Sequence, residues 1–155
     1  MADMVIPLLT GTLLLLLLAA GIEDARTREI ADGKNIAIAL LAPAWWWAIG
    51  LSPPAMAVQA GVALIVFALF FGAFCLGQMG GGDVKMIGAL ALWLPPGAVL
   101  AMLMAMALIG GGITILFLIE RRRTRAGDVA EIPYGVAIAA AGMLALANPI
   151  LTPSA

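Results

Sequence analysis

Apolar residues run along almost the whole chain, and this pattern limits the possible folds more than any other feature. Of the 155 residues, 64% are hydrophobic and only 11% are charged. The core of a soluble domain of this length cannot bury so much apolar surface, so lipid is the natural solvent. The sequence therefore predicts an integral membrane protein of the all-α class, in which each span needs about 20 apolar residues as a helix.

Hydropathy divides the chain into six apolar segments, which are candidates for about six transmembrane helices in a single domain, residues 1–155. A cleaved signal peptide is the alternative interpretation of the first segment. However, its head carries Asp3 and no Lys or Arg, the opposite of a signal peptide. The predicted spans are Met4–Ile22, Ile36–Leu51, Ala55–Leu76, Val84–Leu94, Gly97–Ile119 and Ile132–Ala147.

The basic residues predict the orientation of these spans. All eight Lys and Arg residues lie in alternate connections: three between the first two spans, one after the third and four between the last two. The connections around Ser52–Pro54 and Pro95–Pro96 carry none. Basic loops face the cytoplasm, so both chain termini are predicted to lie outside. All four tryptophans fall near the outer ends of spans two and four, as an interfacial aromatic belt would.

The inventory of reactive side chains excludes several classes of function. Histidine is absent and cysteine occurs once, at Cys75. This excludes Ser–His and Cys–His nucleophile pairs, His-ligated metals and cysteine metal clusters, so we expect no metal and no cofactor. A net charge of −1 offers no surface for nucleic acid. Carboxylates, Lys and Arg carry almost all the chemistry that remains.

A glycine-rich segment, Gly77–Lys85, separates the third and fourth spans and has four glycines among nine residues. The apolar run after it, Val84–Leu94, rises only about 16 Å as a helix, against a hydrocarbon core of about 30 Å. Either this span does not cross the membrane, or part of the loop lies below the membrane surface, where irregular backbone must be covered by protein or water. An acid at that depth, here Asp83, marks a functional site by default.

Three interpretations of this segment remain open. A phosphate cradle lacks the Gly-Lys-Ser/Thr ending of a P-loop. A flexible turn would use Asp83 to cap the next helix. A reactive carboxylate at a helix N-terminus needs a partner, and Asp24, at the cytoplasmic end of the first span, is the candidate. Two carboxyl groups around one water share a proton, as in aspartic proteases. The alternative for Asp24 is an ordinary interfacial acid beside Arg26 and Arg28.

Three motifs resemble those of a known family. Gly80–Asp83 (Gly-Gly-Gly-Asp) fits the Gly-x-Gly-Asp signature of intramembrane aspartyl peptidases. Asp24–Ile30 resembles the first-aspartate loop of the prepilin peptidase family, commonly Asp-x-Arg-x-x-x-Ile-Pro-Asn, and Glu131–Ala139 resembles that family's entry to the final helix. In this order and at cytoplasmic loops, the set is similar to the type IV prepilin leader peptidases, especially the short CpaA/TadV-type enzymes of tight-adherence (Flp) pilus systems.

The resemblance implies an aspartic endopeptidase with Asp24 and Asp83 as its catalytic pair. Its substrate would be a type IV (Flp-like) prepilin or pseudopilin with a short basic leader and a hydrophobic N-terminal helix, cut at the cytoplasmic face of the bacterial inner membrane. The first span begins near residue 4 and only one cysteine exists, so no N-terminal methyltransferase or zinc domain is expected. The residues expected to support the site are Gly80, Gly82, Lys85, Arg26, Asp32, Pro133 and Tyr134.

The first motif departs from the family pattern, because Ala31-Asp32 stands where Pro-Asn is common. The turn after Ile30 is therefore expected to be looser, and Asp32 becomes a rival to Asp24. We also hypothesise that the cytoplasmic acids near the two aspartates attract a basic leader. These acids are Glu23, Glu29 and Asp32.

Several supporting residues have a second interpretation. Lys85 either pairs with Asp83 or the substrate, or anchors the loop as a positive-inside residue. The pattern Asp128-x-x-Glu131 before Pro133 is typical of helix capping with proline in the first turn. Tyr134 either forms a hydrogen bond near the site or is an ordinary interfacial tyrosine.

Two other functions compete with proteolysis. A small transporter or channel would use Asp24 and Asp83 as a proton or cation site. No inverted repeat is evident, and the outer half of the sequence offers no polar pathway. The third candidate is a catalytically silent assembly factor of a secretion system.

Overall fold

The computed structural model of the protein describes residues 2–124 and 133–147. Within these ranges the chain forms six helices and no strand, which confirms the all-α class. Each helix corresponds to one of the six predicted apolar segments. The helices are α1 (Ala2–Thr27), α2 (Asp32–Ala48), α3 (Pro53–Cys75), α4 (Gly81–Ala91), α5 (Pro96–Thr124) and α6 (Tyr134–Ala147).

Three of these helices are long and apolar enough to cross a membrane, which fits a polytopic membrane protein. They contain the segments Met4–Thr27, Pro53–Cys75 and Pro96–Glu120. Helices α2, α4 and α6 are shorter, with 17, 11 and 14 residues. The predicted orientation, with both termini outside, stays a prediction.

Helix α1 continues past the predicted end of its apolar run at Ile22 and ends at Thr27. The polar residues after Ile22 include Glu and Arg, which are good helix formers and extend the helix into the region where charges are solvated. Asp24 therefore lies on the last turns of a helix and not in a loop. Its backbone carbonyl accepts a hydrogen bond from the Arg28 N–H (3.0 Å).

The shortest helix, α4, lies at the centre of the bundle. All of its residues from Met86 to Ala91 are buried, and it packs against α2, α3 and α6. A helix of 11 residues is too short to cross a bilayer alone. In this structure α4 is surrounded mainly by protein.

Side chains from neighbouring helices hold both ends of α4. At its start, Asn35 Nδ2 donates a hydrogen bond to the carbonyl of Gly82 (3.1 Å). Past its end, the carbonyl of Leu92 accepts hydrogen bonds from Trp46 Nε1 (2.7 Å) and Gln59 Nε2 (2.8 Å). The Leu92 carbonyl lies just past the last turn of α4, where carbonyls have no partner inside the helix, and the two side chains supply one. The bond from Asn35 attaches the first turn of α4 to α2.

The tryptophans divide between core and surface. Trp93 is 1% exposed, donates Nε1–H to the carbonyl of Ile38 (2.8 Å) and stacks on Trp45 at 5.5 Å between ring centroids. Trp47 is 83% exposed. The exposure of Trp47 is compatible with the belt expected from the sequence, whereas Trp93 is a core residue whose indole N–H holds α2 against the end of α4.

We predict that the two hydrogen bonds to the Leu92 carbonyl support each other. Each of Trp46→Phe and Gln59→Leu should lower the free energy of unfolding by about 1 kcal/mol. The double variant should lose more than the sum, because the carbonyl then has neither partner. Thermal unfolding in detergent measures this, with the exposed Trp47→Phe as the control. A double variant that loses no more than the sum of the two single losses would contradict the shared role.

Candidate active site

Asp24 and Asp83, 59 positions apart in the sequence, line one cavity of about 290 Å³. Asp24 comes from the C-terminal turns of α1 and Asp83 from the first turn of α4. The structure therefore brings together the two acids that the sequence singled out. The residues lining this catalytic-end cavity are Asp24, Arg28, Glu29, Ile30, Gly80, Gly81, Gly82 and Asp83.

The start of α6 fixes the carboxyl group of Asp24, which is only 4% exposed. The backbone N–H of Val136 donates a hydrogen bond to Asp24 Oδ2 (3.1 Å), and the N–H of Gly135 also bonds to this carboxyl group. The first turn of a helix has N–H groups without partners in the helix, and its partial positive charge stabilises an anion. Asp24 therefore occupies an anion site at the N-terminal end of α6.

Gly135 makes this contact possible. A Cβ atom at this position would lie 2.7 Å from Asp24 Cγ and 2.7 Å from Ile30 Cδ1. Any larger residue would have to displace the carboxyl group or the start of α6. The absence of a side chain at Gly135 is thus a geometric requirement of the site.

Asp83 lies three residues after Gly80, the N-cap of α4, and accepts a hydrogen bond from the Gly80 N–H. An acid at this position that bonds back to the N-cap residue forms one half of a capping box. The interpretations of Asp83 as a helix cap and as a site carboxyl group are therefore compatible.

Asp83 lies outside the three helices that are long enough to cross the membrane. Burial, and secondly the negative charge of Asp24, raise the pKa of Asp83 to about 6. The hydrogen bond from Gly80 acts in the opposite direction and is the weaker influence. At the end of the bundle, the pair thus holds a proton to higher pH than a solvated aspartate would.

Arg28 brings a positive charge to the same cavity. Its backbone has φ of 60°, in the left-handed region that non-glycine residues rarely adopt. Its guanidinium lies 5.7 Å from the ring centroid of Phe117 on α5. Nη1 is buried and has no hydrogen-bond partner within the described part of the chain. Arg28 is thus a cation at the cavity that holds the two acids.

Gly80 and Gly82 line the same cavity as the two acids. A Cβ atom at Gly80 would be 3.2 Å from Asp83 Oδ2, and one at Gly82 would be 3.2 Å from Ile30 Cβ. Both glycines allow the start of α4 to approach the acids and the loop before α2 closely.

Lys85 and Asp32 lie away from the two aspartates. Lys85 Nζ forms an ion pair with Asp32 Oδ1 (2.7 Å), in which the two side chains are 49% and 62% exposed. Asp32 therefore does not share the cavity with Asp83. Arg26 is also exposed and does not line the cavity, whereas Arg28 does.

The remaining predicted residues belong to α6 or precede it. Pro133 is buried directly before α6, and Tyr134 begins the helix with its ring close to Gly110 of α5. Asp128 and Glu131 lie outside the described residues.

The acids expected to attract a basic leader are partly neutralised by neighbouring groups. Glu23 Oε2 accepts hydrogen bonds from Lys34 Nζ (2.7 Å) and from the N–H of Ala31 (3.0 Å), and thereby ties the end of α1 to the start of α2. Glu29 is exposed and lines the cavity. In the described residues, no three His, Cys, Asp or Glu side chains are grouped so that they could hold a metal ion.

Sequence reasoning missed Arg28 and Gly135. Arg28 follows Asp24 by one helical turn, which is a weak signal for a shared site. Gly135 lies 111 positions from Asp24, so only the packing of α6 on α1 reveals its role.

Comparison with known proteins gives one match. A model of the type IV leader peptidase family matches residues 11–115, about two thirds of the chain, and the matched region contains both aspartates. No curated protein and no solved structure matches the chain.

The raised pKa of Asp83 predicts a pH-dependent stability. The pKa of Asp83 is 3.8 in the unfolded state and about 6 in the folded state, so the folded state binds this proton more tightly. The stability that the proton contributes is therefore lost as the pH rises from about 4 to above 6. Asp83→Asn removes the buried charge and should raise the unfolding temperature by a few degrees at pH 8. The gain should shrink towards pH 4.

Thermal scans in detergent at both pH values test this, with Asp32→Asn as the control because Asp32 is exposed and ion-paired. A gain for Asp83→Asn that is equal at pH 4 and pH 8 would contradict the assignment of a raised pKa.

Proposed function

The chain belongs to the type IV leader peptidase family, and we propose that it is an aspartic endopeptidase with Asp24 and Asp83 as its catalytic pair. Its proposed substrates are Flp-like prepilins or pseudopilins, cut between a short basic leader and the following hydrophobic segment. The observation that carries this proposal is that the two acids, contributed by α1 and α4, line one cavity.

The surroundings of the two acids support different roles. Asp24 accepts hydrogen bonds from two backbone N–H groups at the start of α6, an arrangement that can hold a carboxylate, and we assign it the role of the base. Asp83 is partly buried and lies near Asp24, and both effects raise its pKa and favour its protonated form as the acid. The pair thus holds one proton in total, which suits activation of water without a His, Ser or Cys residue.

The proposed reaction moves protons between the two acids and one water. Asp24 takes a proton from the water, whose oxygen bonds to the carbonyl carbon of the scissile peptide. The carbonyl oxygen takes the proton of Asp83, which gives a tetrahedral diol. The bond from carbon to nitrogen then breaks, and the leaving nitrogen takes the proton from Asp24. One hydroxyl proton of the diol returns to Asp83, so the products are a leader carboxyl group and a free amino terminus.

Arg28 is a positioning residue in this proposal. Arg28 lines the cavity, and its Nη1 can donate a hydrogen bond to a carbonyl of the leader. The contact with Phe117 keeps the guanidinium on the side of α5. With Glu29 at the cavity edge, the site offers both a donor for leader carbonyls and a negative charge for a basic leader.

Cleavage of a co-expressed prepilin tests the catalytic pair. The substrate should carry a basic leader that ends in glycine, and cleavage should be scored by mass. We expect Asp24→Asn and Asp83→Asn each to reduce the rate more than about a thousandfold, as when one member of a catalytic unit is lost. Asp32→Asn, which only breaks an exposed ion pair, should stay within a few fold of the wild type.

The outcomes of this assay separate the competing functions. Loss with Asp32→Asn but not with Asp24→Asn would move the first acid eight positions along the chain. Cleavage at the wild-type rate by all three variants would overturn the aspartic mechanism. If the wild type leaves several such prepilins intact, ion flux through the protein in vesicles becomes the decisive measurement.

Gly135→Ala tests the geometry of Asp24 without changing a titratable group. The new Cβ atom would lie 2.8 Å from Asp24 Oδ2, so the carboxyl group must move. A shift of about 1 Å in a catalytic group can cost about a hundredfold in rate, and we expect a loss of that order. Gly112→Ala is the matched control, because nothing lies within 4 Å of a Cβ atom there. Equal cleavage by both variants would contradict the proposed position of Asp24.

A further inference from the structure

A second cavity of about 380 Å³ lies between α2, α3 and α4. We call it the α2–α4 groove. Apart from Asn35 and Lys85 at one end, all of its lining residues are apolar or glycine. Along α4 it extends from Lys85 to Leu92, which is about 10 Å or two helical turns. Its size and lining therefore suit a short stretch of apolar helix.

The apolar rims of the groove are exposed. Ile36 on α2 is 56% exposed and Leu64 on α3 is 67% exposed. In a membrane protein such side chains face lipid or another apolar helix. The groove is therefore accessible from the side, through the hydrocarbon region.

Asn35 connects this groove to the catalytic-end cavity. It lines the groove, is 3% exposed, and donates its Nδ2–H to the carbonyl of Gly82, a residue that lines the catalytic-end cavity. Its other polar atom, Oδ1, is buried and has no hydrogen-bond partner in the part of the chain that the structure describes. A buried acceptor without a partner is destabilising, so it indicates that a donor binds there.

We propose, on the basis of the proposed function, that the α2–α4 groove binds the apolar segment of the substrate that follows the cleavage site. Asn35 Oδ1 accepts a backbone N–H from the first turn of that segment. The leader then extends past Gly82 into the cavity of Asp24 and Asp83. The occupant is an apolar helix of a second protein, and this helix enters the groove from the lipid.

The unpaired acceptor distinguishes this occupant from lipid. An acyl chain would fill an apolar groove but brings no hydrogen-bond donor to Asn35. In a helix only the first turn has free N–H groups, so Asn35 also sets the direction of the bound segment. Its N-terminal end must point towards Asn35 and the catalytic-end cavity.

Filling the groove tests the proposal. Ala60 is exposed and lines the groove, so Ala60→Trp should block it without disturbing the core. We expect KM for a prepilin with a basic, glycine-ended leader to rise at least tenfold, with little change in kcat. Ala68→Trp is the matched control, since Ala68 is exposed on the same helix and does not line the groove. Equal KM values for the two variants would overturn the proposal.

Proline scanning of the substrate tests the contact with Asn35. Proline is tolerated in the first helical turn but has no N–H. Each of the first four positions of the apolar segment is changed to proline in turn. We expect one of these changes to raise KM several-fold for the wild-type enzyme. The same substrate should show no such increase with Asn35→Leu. If no position depends on Asn35, the hydrogen bond is absent and that part of the proposal is wrong.

Crosslinking separates failure of this inference from failure of the proposed function. In a Cys75→Ser, Asp83→Asn background, a cysteine at position 60 should crosslink to cysteines in the apolar segment of the same prepilin. A cysteine at position 68 should not. Crosslinking that is equal at both positions, or absent at position 60, overturns the groove assignment. A wild-type enzyme that binds in this way but never cleaves would instead contradict the proposed function.

Discussion

The position of α4 is the constraint on which the rest of the site depends. This helix is too short to cross a bilayer and is buried among α2, α3 and α6. Its backbone ends are held by side chains, through Asn35 at the start and through Trp46 and Gln59 just past the end. Because α4 cannot slide or tilt without breaking these bonds, Asp83 in its first turn has a fixed place at the charged end of the bundle.

The second constraint is the packing of α6 on α1. The N–H groups at the start of α6 approach Asp24 because Gly135 has no side chain. Two helix N-termini, those of α4 and α6, thus face the same region and stabilise negative charge there. Two effects oppose this stabilisation: the acids are removed from water, and their negative charges repel each other. Both effects raise the pKa of Asp83. The proposed chemistry uses this balance, since one proton shared by two carboxyl groups is the state that activates water.

The sequence predicts those parts of the structure that follow from local pattern. Hydropathy predicts all six helices, and the Gly-Gly-Gly-Asp motif predicts an acid at the start of the short helix. The pairing of Asp24 with Asp83 required a hypothesis, which the shared cavity supports. For Lys85 the sequence allows either pairing with Asp83 or the substrate or a role as a positive-inside anchor, and in the structure Lys85 pairs with Asp32.

Other features depend on long-range packing and leave no local signal. Gly135 contacts Asp24 only because α6 packs on α1, and Arg28 lines the same cavity with its guanidinium over the ring of Phe117 on α5. Asn35 is an unremarkable polar residue in the sequence, yet it contacts Gly82 at 47 positions' distance. The sequence predicts that Trp93 is an interfacial tryptophan, but in the structure it is buried. In each case the role comes from a neighbour that is distant in the chain.

The proposed chemistry requires that Asp24 and Asp83 form one coupled pair. The most direct measurement is an infrared titration of the protonated carboxyl band of Asp83, assigned by its loss in Asp83→Asn. We expect this band to persist to about pH 6 in the wild type. In Asp24→Asn it should disappear at lower pH, because the neighbouring negative charge is gone. A titration of Asp83 that is the same in the wild type and in Asp24→Asn would contradict the pair.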